Sequence, residues 1–189
     1  MISMGNRVFD ELISRALSLG AYKASIITTK DISLDRSFRE ICASNTCGIY
    51  GKCWMCPPNV GDIDVLINEV GKYDYALIYQ TVTELEDSYD FEGMIAAKKN
   101  FYPLAQGIRE TFNNFKFRNV VHLGVGGCGL CEICAKRIDE PCRFPDKAMP
   151  SLEGYGINVS QLAKASGMKY INGQNTVTYF GAVLFSLKG

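Results

Sequence analysis

The sequence predicts a single domain of the α/β or α+β class, with one sheet of about four strands covered by helices and two cysteine-rich loops beside it. Three observations carry this expectation. Four short apolar runs, at residues 22–28, 75–82, 119–125 and 176–185, have the length of strands, and segments of helical spacing separate most of them. All eight cysteines fall in two stretches, 42–56 and 128–142, that are too rich in Gly, Cys and Pro for regular structure. The 189 residues fit one core, and no repeat or linker divides them, so residues 1–189 are expected to form one domain.

Each element has its own signal. Val8, Leu12, Ala16 and Leu17 recur at helical spacing before Gly20, which predicts an opening amphipathic helix stopped by glycine. Residues 34–41 continue in helical rhythm and deliver the chain to Cys42. Residues 62–70 predict a helix, and 75–82 a buried strand. Residues 91–115 predict one long or broken helix, with Pro103 expected to kink or divide it. The strand at 119–125 runs straight into the second cysteine loop. A short turn begins at 151, a helix spans 159–165, and 176–185 closes the chain as a strand.

Composition excludes several classes. Lysine and arginine total 20 and so do aspartate and glutamate, so no global field draws in nucleic acid. No run approaches the roughly 18 apolar residues of a membrane span, and the first 20 residues lack a signal-peptide pattern, so a cytoplasmic location is expected. In that reducing setting, clustered cysteines bind metal or do redox chemistry rather than form a disulfide framework.

Cys128, Cys131, Cys134 and Cys142 are spaced C-x2-C-x2-C-x7-C, and the first three repeat the run found in ferredoxins. Two-residue gaps let successive thiolates curl round one centre with the intervening amides pointing inward, which suits a [4Fe-4S] cluster. The fourth gap is longer than in ferredoxins and no proline directly follows Cys142. Zinc is the alternative, since four thiolates also close a tetrahedral site, although zinc pairs are usually separated by a longer spacer. Gly124, Gly126 and Gly129 have the G-x-G-x-x-G spacing of a dinucleotide fingerprint, but cysteines and Pro141 occupy the place where its helix should open. They are read as room for a cluster.

Cys42, Cys47, Cys53 and Cys56 are spaced C-x4-C-x5-C-x2-C before Pro57 and Pro58, a spacing that matches no common cluster motif. It lacks the C-x3-C-x2-C triplet of radical S-adenosylmethionine enzymes. Cys53 and Cys56, with Trp54 between them, also admit a thioredoxin-like dithiol, but no helix opens close enough to activate one. Trp54 and Tyr50 read as apolar lids over a centre or as core.

The strings CGIYGKCWMCPPNVG and GGCGLCEICAKRIDEPCRFPDKAMPSLEGYGINV resemble the predicted metal-binding proteins called domain of unknown function 2284, from about Cys42 onward. That resemblance implies a small prokaryotic protein with two cysteine motifs, presumed to hold iron-sulfur clusters. It matches Cys42, Cys47 and Cys56 to the first motif and Cys128, Cys131, Cys134 and Cys142 to the second, leaving Cys53 outside. A three-cysteine site could hold a cluster with one open iron.

His122, the only histidine, lies mid-strand and reads as a core or surface residue. Lys98, Lys99, Arg109, Lys116 and Arg118 form either a docking face for a redox partner protein or a solvated helix face. The expected cofactors are one or two [4Fe-4S] clusters, with zinc as the alternative. The expected role is electron transfer or redox accessory work; the alternatives are an enzyme acting on a small substrate at an open-site cluster and a zinc-stabilised interaction module.

Overall fold

The computed structural model describes residues 4–188 of the chain. Its elements follow in the order α1 (Met4–Ser18), β1 (Lys23–Thr28), α2 (Phe38–Ala43), α3 (Ile63–Val70), β2 (Tyr75–Glu84), α4 (Phe91–Asn113), β3 (Asn119–Leu123), α5 (Val159–Ala165) and β4 (Thr176–Ser186). The four strands form one sheet in the order β1-β2-β4-β3, with every neighbouring pair antiparallel. The class is therefore α+β.

The sheet is covered on both faces. Along β2, Ala76 and Ile78 point to one side and Leu77 and Tyr79 to the other; Ala182 and Leu184 alternate with Val183 and Phe185 along β4 in the same way. Leu66 and Val70 of α3 and Leu162 and Ala163 of α5 pack on the first face. Leu12 and Ala16 of α1 and Phe101, Leu104, Ala105 and Ile108 of α4 pack on the second. Both central strands thus read as unbroken apolar runs, a pattern more usual in parallel sheets.

Helix α4 runs unbroken through Pro103. The ring costs one backbone hydrogen bond, and the side chains around it, Phe101, Leu104 and Ala105, are buried against the sheet and offset that loss. Helix α2 starts four residues later than its rhythm predicts. Leu34 is held extended by a bridge to Ile157, and the Asp35 amide donates to the Gly156 carbonyl at 2.7 Å, so the chain cannot coil until Phe38. Side-chain caps fix three helix starts: Asp62 accepts from the Asp64 amide at 2.9 Å, Asp90 from Gly93 at 2.7 Å and Asn158 from Gln161 at 3.1 Å.

His122 is buried in β3, where Nε2 meets the Tyr79 hydroxyl at 2.8 Å. Burial, with the nearby Arg109 charge, pushes its pKa down to about 3, so the ring is neutral. It lines neither cysteine cavity. Among the described residues no helix is long and apolar enough to cross a membrane.

Candidate metal centres

Both cysteine loops are tied down by the sheet and by α4. The second leaves β3 at Gly124 and returns beside its own start, because the Gly124 amide donates to the Pro150 carbonyl at 2.8 Å and the Leu152 amide to Gly124 at 3.0 Å. Tyr102 of α4 donates its hydroxyl to the Gly127 carbonyl at 2.7 Å, at the loop's entry. At its exit Gln106 donates to the Lys147 carbonyl at 3.1 Å, and the Arg109 guanidinium donates to the Asp146 and Ala148 carbonyls. Arg109 is thus a clamp on the loop.

The first loop is held to the second by Trp54, whose indole Nε1 donates to the Glu140 carbonyl at 2.8 Å while Lys136 Nζ lies 4.5 Å from the ring centroid. Within the first loop the Cys56 amide donates to the Cys53 carbonyl at 3.2 Å, and the side chain of Asn59 donates to that same carbonyl at 3.1 Å. This tight turn turns Cys53 and Cys56 toward different cavities.

The partition differs from the sequence grouping. Cys42, Cys47 and Cys56 line one cavity of about 570 Å³. Cys53 joins Cys128, Cys131, Cys134 and Cys142 around another, a gap of only about 20 Å³ closed by Trp54, Met55, Leu130 and Phe144. All eight cysteines are free thiols; Cys53 and Cys56 are buried, Cys47 is exposed, and the rest lie between. The two cavities adjoin at Cys53 and Cys56, whose thiols are close enough to shift each other's ionisation in opposite directions.

Glycines permit this closeness. A Cβ at Gly127 would stand 3.4 Å from the Cys56 sulfur and 3.2 Å from Ile49, and one at Gly129 would stand 2.1 Å from the Tyr102 ring. Gly126 adopts φ +56°, a left-handed conformation that favours glycine. Of the apparent dinucleotide motif, Gly124 approaches Met149 and Phe101, Gly126 the Lys98 ammonium and Gly129 the Tyr102 ring, while Gly127, outside the motif, is the glycine that faces a cysteine. No helix opens after them; the first regular structure is a short 3₁₀ turn at Ala135–Ile138.

The electrostatics are those of crowded thiols. The hydrogen bond from Cys56 outweighs the effect of burial and, with the amides of Met55 and Cys128 directed at the same sulfur, holds the Cys53 thiol well below its ordinary range. Cys56, as the donor, is pushed far up by that bond, by burial and by the neighbouring thiols of Cys53, Cys47 and Cys42. Burial raises Cys42 and Cys128 as well, against the lowering effect of the Leu130 and Met149 amides aimed at the Cys128 sulfur. Several thiolates packed together are stable only with compensating positive charge, which a bound metal supplies.

A family model for predicted metal-binding proteins, DUF2284, matches residues 25–185. The chain belongs to that family. No curated protein and no solved structure matches it. The DUF2284 match spans both cysteine loops and all of the sheet except Lys23 and Ala24 of β1 and Ser186 of β4.

Among the described residues, no three His, Cys, Asp or Glu side chains of this DUF2284 protein converge to hold a single metal ion. A tetrahedral zinc would draw four sulfurs to roughly 2.3 Å from one point. A cluster takes one thiolate per iron from a wider ring, and the cysteines around the two gaps are a donor set of the kind that either centre uses. Two residues that the sequence reading did not single out for the site, Glu153 and Ser151, line the wider cavity with Lys98, which had been assigned to a helix face. Their approach depends on the β3 to α5 connection folding back, which no local spacing records.

Proposed function

We propose that this protein holds a [4Fe-4S] cluster on Cys128, Cys131, Cys134 and Cys142 and a second on Cys42, Cys47 and Cys56, and that it serves electron transfer or a redox accessory role. Such clusters exchange single electrons when bound. The observation that carries this reading is the grouping of all eight cysteines around two adjoining cavities, with backbone amides directed at Cys53 and Cys128 and the Cys53 and Cys56 thiols neighbouring one another where the cavities meet.

The chain's own residues have defined parts in it. Cys128, Cys131, Cys134 and Cys142 bind, while Trp54 and Phe144 exclude water from the narrow site. Cys53 and Cys56 bring the two sites into contact. The eight unpaired cysteines support a reducing, cytoplasmic setting, and a redox partner protein is part of the reading.

A second reading, favoured by the cavity at Cys42, Cys47 and Cys56, is an enzyme whose three-cysteine cluster keeps one coordination position for a small substrate. The cavity of about 570 Å³ lies within the roughly 300–1,000 Å³ of small-molecule sites.

Iron, zinc and acid-labile sulfide are to be measured in anaerobically purified protein together with its visible spectrum. About eight irons and eight sulfides per chain are expected for two clusters, and about four of each for one. Colourless protein that contains zinc without sulfide would refute the proposal and identify a zinc-stabilised interaction module.

A further inference from the structure

The wider cavity presents a cation that is not a metal ligand and has no carboxylate partner among the described residues. Lys98, in the middle of α4, lines it opposite a mostly apolar wall that includes Phe38, Ile41 and Ile49. Among the described residues no carboxylate lies within 4.0 Å of the Lys98 ammonium, and its side chain donates no hydrogen bond. The loop makes room for it: a Cβ at Gly126 would stand 2.9 Å from Nζ. Glu153 faces the same cavity and is near enough to feel Lys98, yet the two form no ion pair, and burial biases the Glu153 carboxyl toward its neutral form.

An ammonium without a carboxylate partner, set beside apolar side chains, is an anchor for an anion through a charge-assisted hydrogen bond. The apolar wall would be wasted on an inorganic anion and suits a hydrocarbon body. We propose that this cavity binds a small monocarboxylate, its carboxylate on Lys98 and its apolar body against Phe38, Ile41 and Ile49. The inference rests on the open-site reading above only in placing the bound molecule beside Cys42, Cys47 and Cys56, and it involves no chemical step.

The test uses anaerobically purified, metal-loaded protein and three probes with one body and different heads: hexanoate, 1-hexanol and hexylamine, titrated by calorimetry. Hexanoate is expected to bind at least about tenfold more tightly than 1-hexanol, and Lys98→Met to remove that preference. Equal affinity for the three probes, a preference for hexylamine, or hexanoate binding untouched by Lys98→Met would overturn the inference. Iron and sulfide assays on the same samples separate the two readings: iron-loaded protein blind to the probe's charge sinks the carboxylate site alone, and zinc protein that selects hexanoate sinks the cluster alone.

Discussion

The two cysteine cavities share a chemistry and differ in room. Five cysteines crowd a gap of about 20 Å³ under Trp54 and Phe144, whereas three line a space of about 570 Å³ that also presents Lys98 and Glu153. A narrow, overdetermined set of donors holds its occupant and keeps other molecules out. A wide one with fewer donors leaves a face on which something else can bind. The contrast predicts a division of labour, with the narrow site as electron store and the wide one as the place of contact with small molecules.

The largest effect comes from removing a ligand from either side. Cys131→Ser is expected to remove the metal of the narrow site, lowering iron and sulfide by about half, and Cys47→Ser to do the same at the wide site. Metal analysis with electron paramagnetic resonance of the reduced protein distinguishes them, since each variant should lose one signal and keep the other. Loss of both signals in either variant would break the comparison and make the eight cysteines one unit.

Next in size is the wall between α4 and the narrow site. Gly129→Ala places a Cβ 2.1 Å from the Tyr102 ring, which must rotate away and give up its hydrogen bond to Gly127. Overpacking of this kind costs about 1–3 kcal/mol, which denaturant unfolding would read. The matching change at the wide site, Gly127→Ala, meets Ile49 at 3.2 Å and the Cys56 sulfur at 3.4 Å and is expected to cost less. The reverse order of the two costs would mean that the narrow gap is the looser one.

A smaller effect tests the lid. Trp54→Phe keeps a ring over the narrow site but loses the indole bond to the Glu140 carbonyl, about 0.5–1.5 kcal/mol. Metal release to a chelator should quicken at the narrow site and stay unchanged at the wide one. Equal acceleration at both would show that Trp54 holds the loops together rather than covering one of them.

How much of this was legible in the sequence depends on whether the signal was local. The α5 helix lies where its spacing put it, and the four strands lie within a few residues of their apolar runs, because period and turn residues act over short range. Strand order was not legible, nor was the late start of α2, since the bridge from Leu34 to Ile157 joins residues far apart in the chain. Of the two outcomes open for residues 91–115, one long helix and not a broken one is found, since buried neighbours outweigh the hydrogen bond lost at Pro103. The cysteines could be counted and spaced, but spacing cannot tell which way a turn aims Cys53, and the two-residue gap to Cys56 hid their opposite destinations. Lys98 looked like any helix-face lysine until the loop after β3 folded over it.

Cys53 is the finest test of the partition, because five thiols face the narrow gap and a four-iron cluster takes four. Cys142 shares intermediate exposure with Cys128, Cys131 and Cys134 and belongs to their spaced run, whereas Cys53 is buried, comes from the other loop and neighbours Cys56. Cys53→Ser is therefore expected to leave iron and sulfide unchanged at both sites. The serine hydroxyl can still accept from the amides of Met55 and Cys128 that point at this position, so the fold should change little. What should change is the coupling, since the thiol contact that joins the cavities is gone. Redox titration should then move the two potentials by different amounts while each cluster stays intact. If the narrow site loses its iron in Cys53→Ser and keeps it in Cys142→Ser, Cys53 is the fourth ligand, and the turn at Trp54 and Met55 joins the two centres through adjacent ligands.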